Sequence, residues 1–241
     1  MNIIAIIQAR MGSTRLPAKV MRMLSGKTVL SHVIERCKHI PDVSKVVVAT
    51  TLENSDLVIA DEAVRHGASY YRGSESHVLC RYYEAAKRER ADVIIRITSD
   101  CPLLDPVLVQ RLIEHFKASG CDYARIGLDV FPRGLDAEIF TMEALAFAYR
   151  HAISDFDKEH VTTFIQQNPQ YFKCEVYREQ EDNAGYRLTL DTIEDWELIE
   201  RIYRKLYQGS VFHWGEIKQL LEAEPELALL NAHVEQKHNN V

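Results

Sequence analysis

Short apolar runs and longer amphipathic stretches alternate along the first half of the chain. Nearly continuous apolar runs are typical of strands buried on both faces of a sheet, and they predict strands at 2–8, 45–50 and 92–97, with a shorter candidate at 68–71. Apolar residues at helical spacing between these runs predict helices over 28–39, 55–66, 77–90 and 106–119. This alternation predicts an α/β fold with a mostly parallel sheet and helices on both faces.

The regular alternation of strand and helix patterns ends after Gly120. Further strands are predicted at 122–126, 137–140, 172–176 and 187–190. Helices are predicted at 142–151, 158–167 and 192–206, and the segments 214–221 and 227–230 complete the fold. Because no linker rich in Gly, Ser or Pro divides the chain, we expect residues 1–241 to form one domain, with 127–170 as a small inserted arm. The polar end, 235–240, is expected to fray.

Composition and charge narrow the classes of function. The chain has 241 residues, of which 46% are hydrophobic and 27% charged, as in an ordinary globular protein. Its net charge of −6 does not supply the basic surface that non-specific nucleic-acid binding requires. No apolar run approaches the roughly 18–20 residues of a membrane span, and the apolar start is too short for a signal peptide. Five dispersed cysteines without a C-x-x-C pair indicate reduced thiols. We therefore expect a cytoplasmic protein that binds neither nucleic acid nor membrane.

The loop after the first predicted strand is the most informative segment. It holds three cations, Arg10, Arg15 and Lys19, within ten residues. Gly12 allows the backbone to approach a ligand closely, and successive N–H groups beside it can form an anion-binding concavity. Ser13 adds a hydroxyl donor. Because ligands of parallel sheets bind beyond the carboxyl ends of the strands, the loop predicts a polyphosphate site. The competing interpretation is a turn whose basic residues are solvated.

Two aspartates follow predicted strands and can face this loop. Asp100 comes directly after the strand at 92–97, and Asp191 directly after the one at 187–190. The neighbouring Asp105 is better explained as a helix N-cap, and Thr192 with Asp195 resembles a capping box. Mg²⁺ is usually held by one or two carboxylates together with substrate phosphates. The pattern therefore predicts phosphoryl transfer, with plain turn aspartates as the alternative.

A second basic segment resembles a phosphate-binding motif but does not match it. Ser25–Thr28 resembles the end of a P-loop, but Met21 stands where that motif requires its first Gly. We interpret the segment as a turn followed by a helix N-cap at Thr28.

Six segments together resemble the sugar-acid cytidylyltransferases, which include the synthetases of CMP-sialic acid and of CMP-3-deoxy-manno-octulosonate. Three carry the likeness to the whole family: QARMGSTRLPAK at 8–19, TSDCP at 98–102 and LDTIED at 190–195. Three others make the spore-coat polysaccharide (SpsF-type) branch the closer likeness: RGSE at 72–75, FPRGLDAE at 131–138 and EHVT at 159–162. The likeness follows the chain in order over roughly residues 2–205.

The resemblance implies a Rossmann-like sheet of the GT-A nucleotidyltransferase kind and an Mg²⁺-dependent enzyme. CTP and a sugar, expected to be an acid sugar, would give a CMP-sugar and pyrophosphate for surface polysaccharide biosynthesis. The same likeness supports a homodimer, for which an apolar patch in the arm is the candidate contact: Leu145, Phe147, Ala148 and Tyr149.

The resemblance also implies roles for individual residues. The catalytic set is Arg10, Lys19, Asp100 and Asp191, of which the two aspartates hold the metal ion. The nucleotide-binding set is Ala9, Arg10, Gly12, Ser13, Arg15, Lys19, Arg72, Ser74 and Thr98. The set that contacts the acceptor sugar is Arg133, Asp136, Glu138 and His160.

Three other functions compete with this interpretation. A GT-A glycosyltransferase usually carries D-x-D after a strand, but Thr98 stands where the first Asp would be. A sugar-1-phosphate nucleotidylyltransferase typically has a loop richer in glycine than 9–19. A catalytically silent nucleotide-binding subunit would not be expected to keep both aspartates together with Arg10 and Lys19.

Overall fold

Strands and helices alternate along the first half of the chain at the predicted positions. The computed structural model describes residues 1–235. Its strands are β1 (Ile3–Gln8), β2 (Met23–Leu24), β3 (Lys27–Thr28), β4 (Lys45–Thr51), β5 (Ser69–Gly73), β6 (Val93–Thr98), β7 (Tyr123–Ile126), β8 (Glu138–Thr141) and β9 (Cys174–Tyr177). Its helices are α1 (Val29–Lys38), α2 (Leu57–Arg65), α3 (Val78–Arg88), α4 (Pro106–Ser119), α5 (Met142–His151), α6 (Asp155–His160), α7 (Thr163–Gln167), α8 (Ile193–Leu206), α9 (Trp214–Ala223) and α10 (Pro225–Leu229).

The predicted, mostly parallel α/β sheet is confirmed. In residues 1–235 the main sheet has seven strands in the order β5-β4-β1-β6-β8-β7-β9. β1 pairs in parallel with both β4 and β6, while β8 runs antiparallel to its neighbours β6 and β7. Gln8, the last residue of β1, lies opposite Thr98, the last residue of β6. The loops that follow these two strands therefore begin side by side.

β1 contributes to the cores on both faces of the sheet, because successive side chains of a strand point to opposite sides. Ile3, Ala5 and Ile7 belong to the core that α1, α2, α4, α8 and α9 cover. Ile4 and Ile6 belong to the opposite core, which α3, α5 and α7 cover. This burial on both faces explains why the strand is apolar at consecutive positions.

The predicted strand at 187–190 is wrong. The segment is extended, but apart from one isolated bridge between Arg133 and Arg187 it pairs with no strand of residues 1–235. Its hydrogen bonds go to two different loops: the Leu188 N–H donates to the Arg133 carbonyl at 2.7 Å, and the Leu190 N–H donates to the Asp100 carbonyl at 2.8 Å. A strand-like pattern therefore arises from a segment that is buried between loops.

The helix predicted over 158–167 is interrupted. Val161 has a φ of 64°, a region that a β-branched residue rarely adopts, and it separates α6 from α7. The Thr162 N–H donates to the His160 carbonyl at 2.6 Å across this turn. The apolar periodicity continues across the break, because Val161 and Ile165 pack in the same core.

Residues 127–170, predicted as a small inserted arm, contribute both to the sheet and to the helices that cover one of its faces. They supply β8, which lies between β6 and β7, and the helices α5, α6 and α7 on the side of α3. Leu145 and Ala148, predicted in a dimer contact, are fully buried in the core of the chain itself, while Phe147 and Tyr149 are partly exposed. A homodimer and a cytoplasmic location stay predictions.

Two remaining findings concern membrane spans and the end of the chain. Within residues 1–235 no helix combines the length and the apolar character that crossing a membrane would require. Except for Glu235, the segment predicted to fray lies outside the described residues.

Candidate active site

A cavity of about 970 Å³ opens at the carboxyl ends of β1 and β6. Its walls come from the loop after β1, the loop after β6, the start of α3 and α6. The polar and charged residues that line it include Arg10, Ser13, Arg15, Lys19, Glu75, His77, Arg81, Thr98, Asp100, Lys158, Glu159 and Asp191. Ala9 and Gly12 contribute to the same wall. The cavity therefore gathers the predicted basic loop and both predicted aspartates.

Backbone contacts fix the two loops that face each other across the cavity. The Ser99 N–H donates to the carbonyl of Gln8 at 3.1 Å, so the chain leaves β1 and β6 at neighbouring points. The Met11 N–H donates to Oδ1 of the buried Asp56 at 2.8 Å. The basic loop is thereby anchored at its start to the segment that follows β4.

Lys19 joins the two predicted aspartates. Its Nζ lies 2.9 Å from Asp100 Oδ2 and 2.8 Å from Asp191 Oδ1, and it also donates to the Leu190 carbonyl at 2.7 Å. The side chain of Lys19 is only 11% exposed. One ammonium with three oxygen acceptors thus holds two carboxylates together that are 91 residues apart in the sequence.

The charges in this cluster stabilise one another against burial. Burial alone lowers the pKa of Lys19, but the adjacent Asp100 and Asp191 carboxylates outweigh it and raise that pKa above its ordinary value. Burial alone raises the pKa of Asp191, but Lys19, Arg15 and Arg187 lower it below its ordinary value. Lys19 and Asp191 are therefore both charged at neutral pH.

Further cations lie around this cluster. Arg15 Nη2 is 3.0 Å from Asp191 Oδ2, and Arg187 Nη2 approaches the same oxygen at 3.3 Å. Arg10 extends into the opening of the cavity, where its Nη1 pairs with Glu75 Oε1 at 3.1 Å. Both side chains of that pair are about half exposed. The three cations that the sequence placed in one loop all reach the cavity.

A buried network positions the backbone at Asp191. Asp195 is fully buried, and its Oδ2 accepts hydrogen bonds from the backbone N–H groups of Asp191 and Thr192. Arg187 donates to both oxygens of Asp195. The Thr192 hydroxyl accepts from the Asp195 N–H, which confirms the predicted capping box. Asn231 completes the network, because its Nδ2 donates to Asp195 Oδ1 at 2.8 Å and to the Arg187 carbonyl at 3.0 Å.

Asn231→Ala is expected to loosen the Asp191 turn. Removing both donors should lower the free energy of unfolding by about 1–3 kcal/mol and speed amide hydrogen exchange at Asp191 and Thr192, whose N–H groups are held by Asp195. Hydrogen exchange measured by mass spectrometry or NMR checks this. Leu227→Ala is the control, because Leu227 is also buried near the C-terminal end but its apolar side chain donates no hydrogen bond. Unchanged exchange at Asp191 in Asn231→Ala would contradict the prediction.

The two aspartates fit a magnesium site of the kind that uses substrate phosphates. Within residues 1–235 no group of three or more His, Cys, Asp or Glu side chains is arranged to hold a metal ion. Asp100 and Asp191 nevertheless converge on one cation, Lys19. Two hard carboxylates, with the remaining ligands left to water and phosphate, match what Mg²⁺ prefers.

A second cavity, of about 250 Å³, shares Thr98 with the first. Three of the residues predicted to contact the acceptor line it: Arg133, Asp136 and Glu138. Arg96, Arg125 and Gln166, which the sequence analysis did not single out, line it too. Only their positions in the sheet and on α7 bring them together, since no motif in the sequence includes them.

Glu138 is fully engaged in holding this second cavity together. Its carboxylate accepts hydrogen bonds from Arg96 Nη1 at 2.7 Å, from the Tyr123 hydroxyl at 2.9 Å and from the Thr162 hydroxyl at 3.1 Å. These partners come from β6, from β7 and from the turn between α6 and α7. Glu138 thus ties the sheet to the helices that cover it.

Three other predicted residues lie outside the walls of both cavities in the part of the chain described. Arg72 donates to the carbonyls of Thr51 and Glu53. Ser74 accepts a hydrogen bond from the N–H of His77 at 3.1 Å, just before α3. His160 packs against Phe156, with 4.4 Å between ring centroids. Their roles in binding stay predictions.

Arg81 is a cavity residue that the sequence analysis missed. It is only 2% exposed, lines the first cavity and donates to the Ser74 carbonyl at 2.9 Å. Its Nε has no hydrogen-bond partner among the described residues, and burial lowers its pKa. A buried guanidinium without a carboxylate partner is costly, so a ligand that accepts hydrogen bonds would stabilise it.

Comparisons with known proteins identify the family and the fold of this chain. A family model described as "Cytidylyltransferase" matches residues 4–223. The chain is 34% identical to the spore coat polysaccharide biosynthesis protein SpsF of Bacillus subtilis, over 94% of this chain and 97% of that protein. A cytidylyltransferase structure from Leptospira borgpetersenii is 32% identical, with a TM-score of 0.90 over 99% of this chain and 100% of that one. A structure of CMP:2-keto-3-deoxy-manno-octonic acid synthetase complexed with CTP is 16% identical and shares the fold, with a TM-score of 0.68 over 85% of this chain and 99% of that one.

Proposed function

The chain belongs to the cytidylyltransferase family, and from this premise we propose that it transfers CMP from CTP to an acid sugar in an Mg²⁺-dependent reaction that releases pyrophosphate. The product would serve the biosynthesis of a surface polysaccharide. The observation that carries the proposal is the cluster in which Lys19 holds Asp100 and Asp191 together at the floor of the larger cavity.

The charges around this cavity suit a nucleoside triphosphate. Arg10, Arg15 and Lys19 offer three cations to a polyphosphate, and the bidentate geometry of the guanidinium groups matches phosphate oxygens. Arg81 lies farther along the same wall and would donate hydrogen bonds to the nucleotide, because no carboxylate of residues 1–235 forms an ion pair with it. The competing glycosyltransferase would place a less charged diphosphate among the same cations.

The reaction would be an in-line attack by a sugar hydroxyl on the α-phosphorus of CTP. Arg10 and Lys19 would offset the negative charge that develops on the leaving pyrophosphate. Asp100 and Asp191 would hold Mg²⁺, which when bound supplies further positive charge beside the phosphates. Most of the rate enhancement would come from positioning and from charge stabilisation.

The second cavity supports an anionic acceptor. It contains two guanidinium groups with little neutralisation: within residues 1–235 Arg125 has no hydrogen-bond or ion-pair partner for its side chain, and Arg133 Nη1 lies 3.9 Å from Asp136 Oδ2. A carboxylate on the sugar would accept hydrogen bonds from both guanidinium groups and neutralise their charge. The spore-coat polysaccharide role of the Bacillus subtilis relative supports the proposed pathway.

The decisive experiment measures pyrophosphate release with each of the four nucleoside triphosphates. Each is assayed with Mg²⁺, with and without acid sugars such as 3-deoxy-manno-octulosonate, and with neutral sugars as controls. Release that requires both CTP and an acid sugar supports the proposal. Release with a sugar 1-phosphate, sugar transfer from a nucleotide-sugar donor, or no reaction with any combination would overturn it.

Arg125→Met is expected to weaken binding of the acid sugar selectively. Loss of one charge-assisted hydrogen bond should raise the KM for the acceptor about 10- to 100-fold, while the KM for CTP stays within about twofold. Steady-state kinetics with each substrate varied in turn check this. Arg111→Met, which removes an exposed arginine paired with Glu179, is the matched control and should leave both constants unchanged. An equal rise in both KM values for Arg125→Met would contradict a role in acceptor binding.

A further inference from the structure

We propose that Asp136 is the general base that takes the proton from the attacking sugar hydroxyl, an inference that rests on the proposed function. The nucleophile must lose a proton as it bonds to phosphorus, so a proton acceptor is needed where acceptor and nucleotide meet. The two cavities meet at Thr98. The second cavity, which we propose binds the acceptor sugar and call the acceptor cavity, has two acidic residues in its wall, Asp136 and Glu138.

Glu138 is poorly suited to accept that proton. Both oxygens of its carboxylate already accept hydrogen bonds, which come from a guanidinium and two hydroxyl groups. These partners also hold three elements of the fold in place. Protonation of Glu138 would therefore disrupt the cavity that the acceptor occupies.

Asp136 has the free oxygen that a base requires. Its Oδ1 accepts the N–H of Gly134 at 2.9 Å. Its Oδ2 has no hydrogen bond among the described residues, and the nearest cation, Arg133 Nη1, is 3.9 Å away, beyond hydrogen-bond distance. The side chain is one-third exposed, so a sugar hydroxyl in the cavity can reach it.

Asp136 lines the cavity that shares Thr98 with the nucleotide cavity, and its charge interacts with the loop that follows β6. Its charge is close enough to Cys101 to help raise the pKa of that buried thiol, which stays neutral. The Asp100 carboxylate is close enough to raise the pKa of Asp136 in turn. Asp136 therefore lines the proposed acceptor cavity and is near enough to Asp100, the proposed metal ligand, for the two charges to interact.

The surroundings of Asp136 raise its pKa toward neutral pH. Desolvation by the surrounding protein is the main cause that raises its pKa to about 6, although one-third of the side chain stays exposed to the cavity. Asp100, from the loop after β6, and Glu138, from β8, raise the pKa further, whereas the Gly134 N–H and the Arg133 cation lower it. A base is most effective when its pKa lies near the pH at which it acts.

The proton and electron balance of the step is simple. The hydroxyl oxygen forms a bond to the α-phosphorus as its proton passes to Oδ2 of Asp136. The bond between the α-phosphorus and the bridging oxygen breaks, and its electron pair leaves with pyrophosphate. Asp136 then releases the proton to water once the products have left.

Asp136→Asn keeps the shape and the hydrogen bond from Gly134 but removes the base. We expect kcat to fall about 10²- to 10³-fold, with the KM for CTP and for the sugar within about threefold of the wild-type values. In the wild type, kcat should fall as the pH drops through about 6, because Asp136 becomes protonated. The variant should lose this part of the pH profile. Formate should partly restore activity to Asp136→Ala, since it can occupy the vacated space as a small base.

Asp129→Asn is the matched control. Asp129 lies in the same loop and makes an exposed ion pair with Arg178, outside the walls of both cavities. This variant should keep the wild-type kcat and the wild-type pH profile, including the part that arises from ionisation of CTP itself. A change of profile in both variants would overturn the assignment.

The titration of Asp136 can also be measured without turnover. In ¹³C NMR spectra of aspartate-labelled protein, one carboxyl should titrate near pH 6 and be absent from Asp136→Asn. An Asp136 carboxyl that titrates near the ordinary value of 3.8 would overturn the proposal. So would a variant in which only the KM for the sugar rises, since Asp136 would then merely contact the acceptor. Failure of the proposed function would be seen separately, as a wild-type protein that releases no pyrophosphate with any sugar, and the assignment would be overturned with it.

Discussion

Lys19→Met is expected to slow pyrophosphate release by about a hundred- to a thousandfold. The variant removes a cation that would stabilise charge on the leaving group, and mutations of this kind typically have such effects. It also removes the ammonium that holds Asp100 and Asp191 at 2.9 and 2.8 Å. Rates of pyrophosphate release at saturating CTP and acceptor measure the effect. A rate within tenfold of wild type would contradict the role assigned to Lys19.

Lys19→Met should also lower the free energy of unfolding by about 3 kcal/mol near pH 7. It leaves the largely buried carboxylates of Asp100 and Asp191 without the ammonium group that they share. The pKa of Asp191 is lowered in the folded protein, so its contribution is present above 3.8 and is lost as the pH falls through the folded value. The pKa of Lys19 is raised, so its contribution is full below 10.5 and is lost as the pH rises through the folded value. The stability difference between wild type and variant should therefore be constant from about pH 5 to 9 and shrink outside this range. Urea unfolding at several pH values checks this.

Lys27→Met provides the matched control for both measurements. Lys27 also pairs with a carboxylate, with its Nζ 2.7 Å from Glu35 Oε2, but it belongs to the small β2–β3 hairpin and not to the cavity wall. Because the side chains of Lys27 and Glu35 are 34% and 24% exposed, solvent screens this pair and we expect a loss of less than about 1 kcal/mol. Its rate of pyrophosphate release should equal that of the wild type.

Gly134→Ala is expected to disrupt the site through the backbone. A Cβ atom at this position would lie 2.3 Å from the Leu188 carbonyl carbon and 2.5 Å from the Thr189 nitrogen, and the φ of Gly134 is +106°. The 187–191 segment would have to move, and Asp191 would move with it away from Lys19. We expect a loss of stability of at least about 3 kcal/mol and a fall in activity of at least about a hundredfold.

Alanine variants of two other glycines distinguish the effect of the steric clash at Gly134 from the effect of backbone strain. Gly209 has a φ of +90°, but no atom of residues 1–235 lies within 4 Å of the point that a Cβ would occupy, so Gly209→Ala introduces strain without a clash. Gly185 has neither feature, so Gly185→Ala should leave stability within about 1 kcal/mol of wild type. Both variants should keep full activity. Equal losses for Gly134→Ala and Gly209→Ala would show that strain alone explains the effect.

Local patterns predicted the elements of the fold that depend on local chemistry. Five apolar residues in a row at 3–7 predicted β1, because a strand covered on both faces has no polar side. Thr28, Asp105 and Thr192 cap α1, α4 and α8 as predicted, because a cap is a contact within three residues. The strand predicted at 187–190 failed because extended, apolar backbone between two loops has the same pattern as a strand.

Part of the candidate site followed from the sequence by one rule of topology. Parallel strands end at the same edge, so Lys19 in the loop after β1 and Asp100 after β6 were expected to meet. Asp191 joined them from outside the sheet, through the hydrogen bond between the Leu190 N–H and the Asp100 carbonyl. Its proximity was predicted correctly, although the strand that was to carry it does not exist.

The amino-acid order alone determined most of the elements, the family and the ends of strands where charged groups collect, because these depend on neighbours in the chain and on strand direction. Only the tertiary structure decided that Asn231 braces Asp195, that Arg81 is buried without a carboxylate partner among residues 1–235, and that Asp136 lies near Asp100. Each of these relationships joins residues that are 36 or more positions apart or depends on surrounding atoms that are remote in sequence. Burial and long-range distance set the pKa and the partners of a side chain, and neither can be read from a single stretch of sequence.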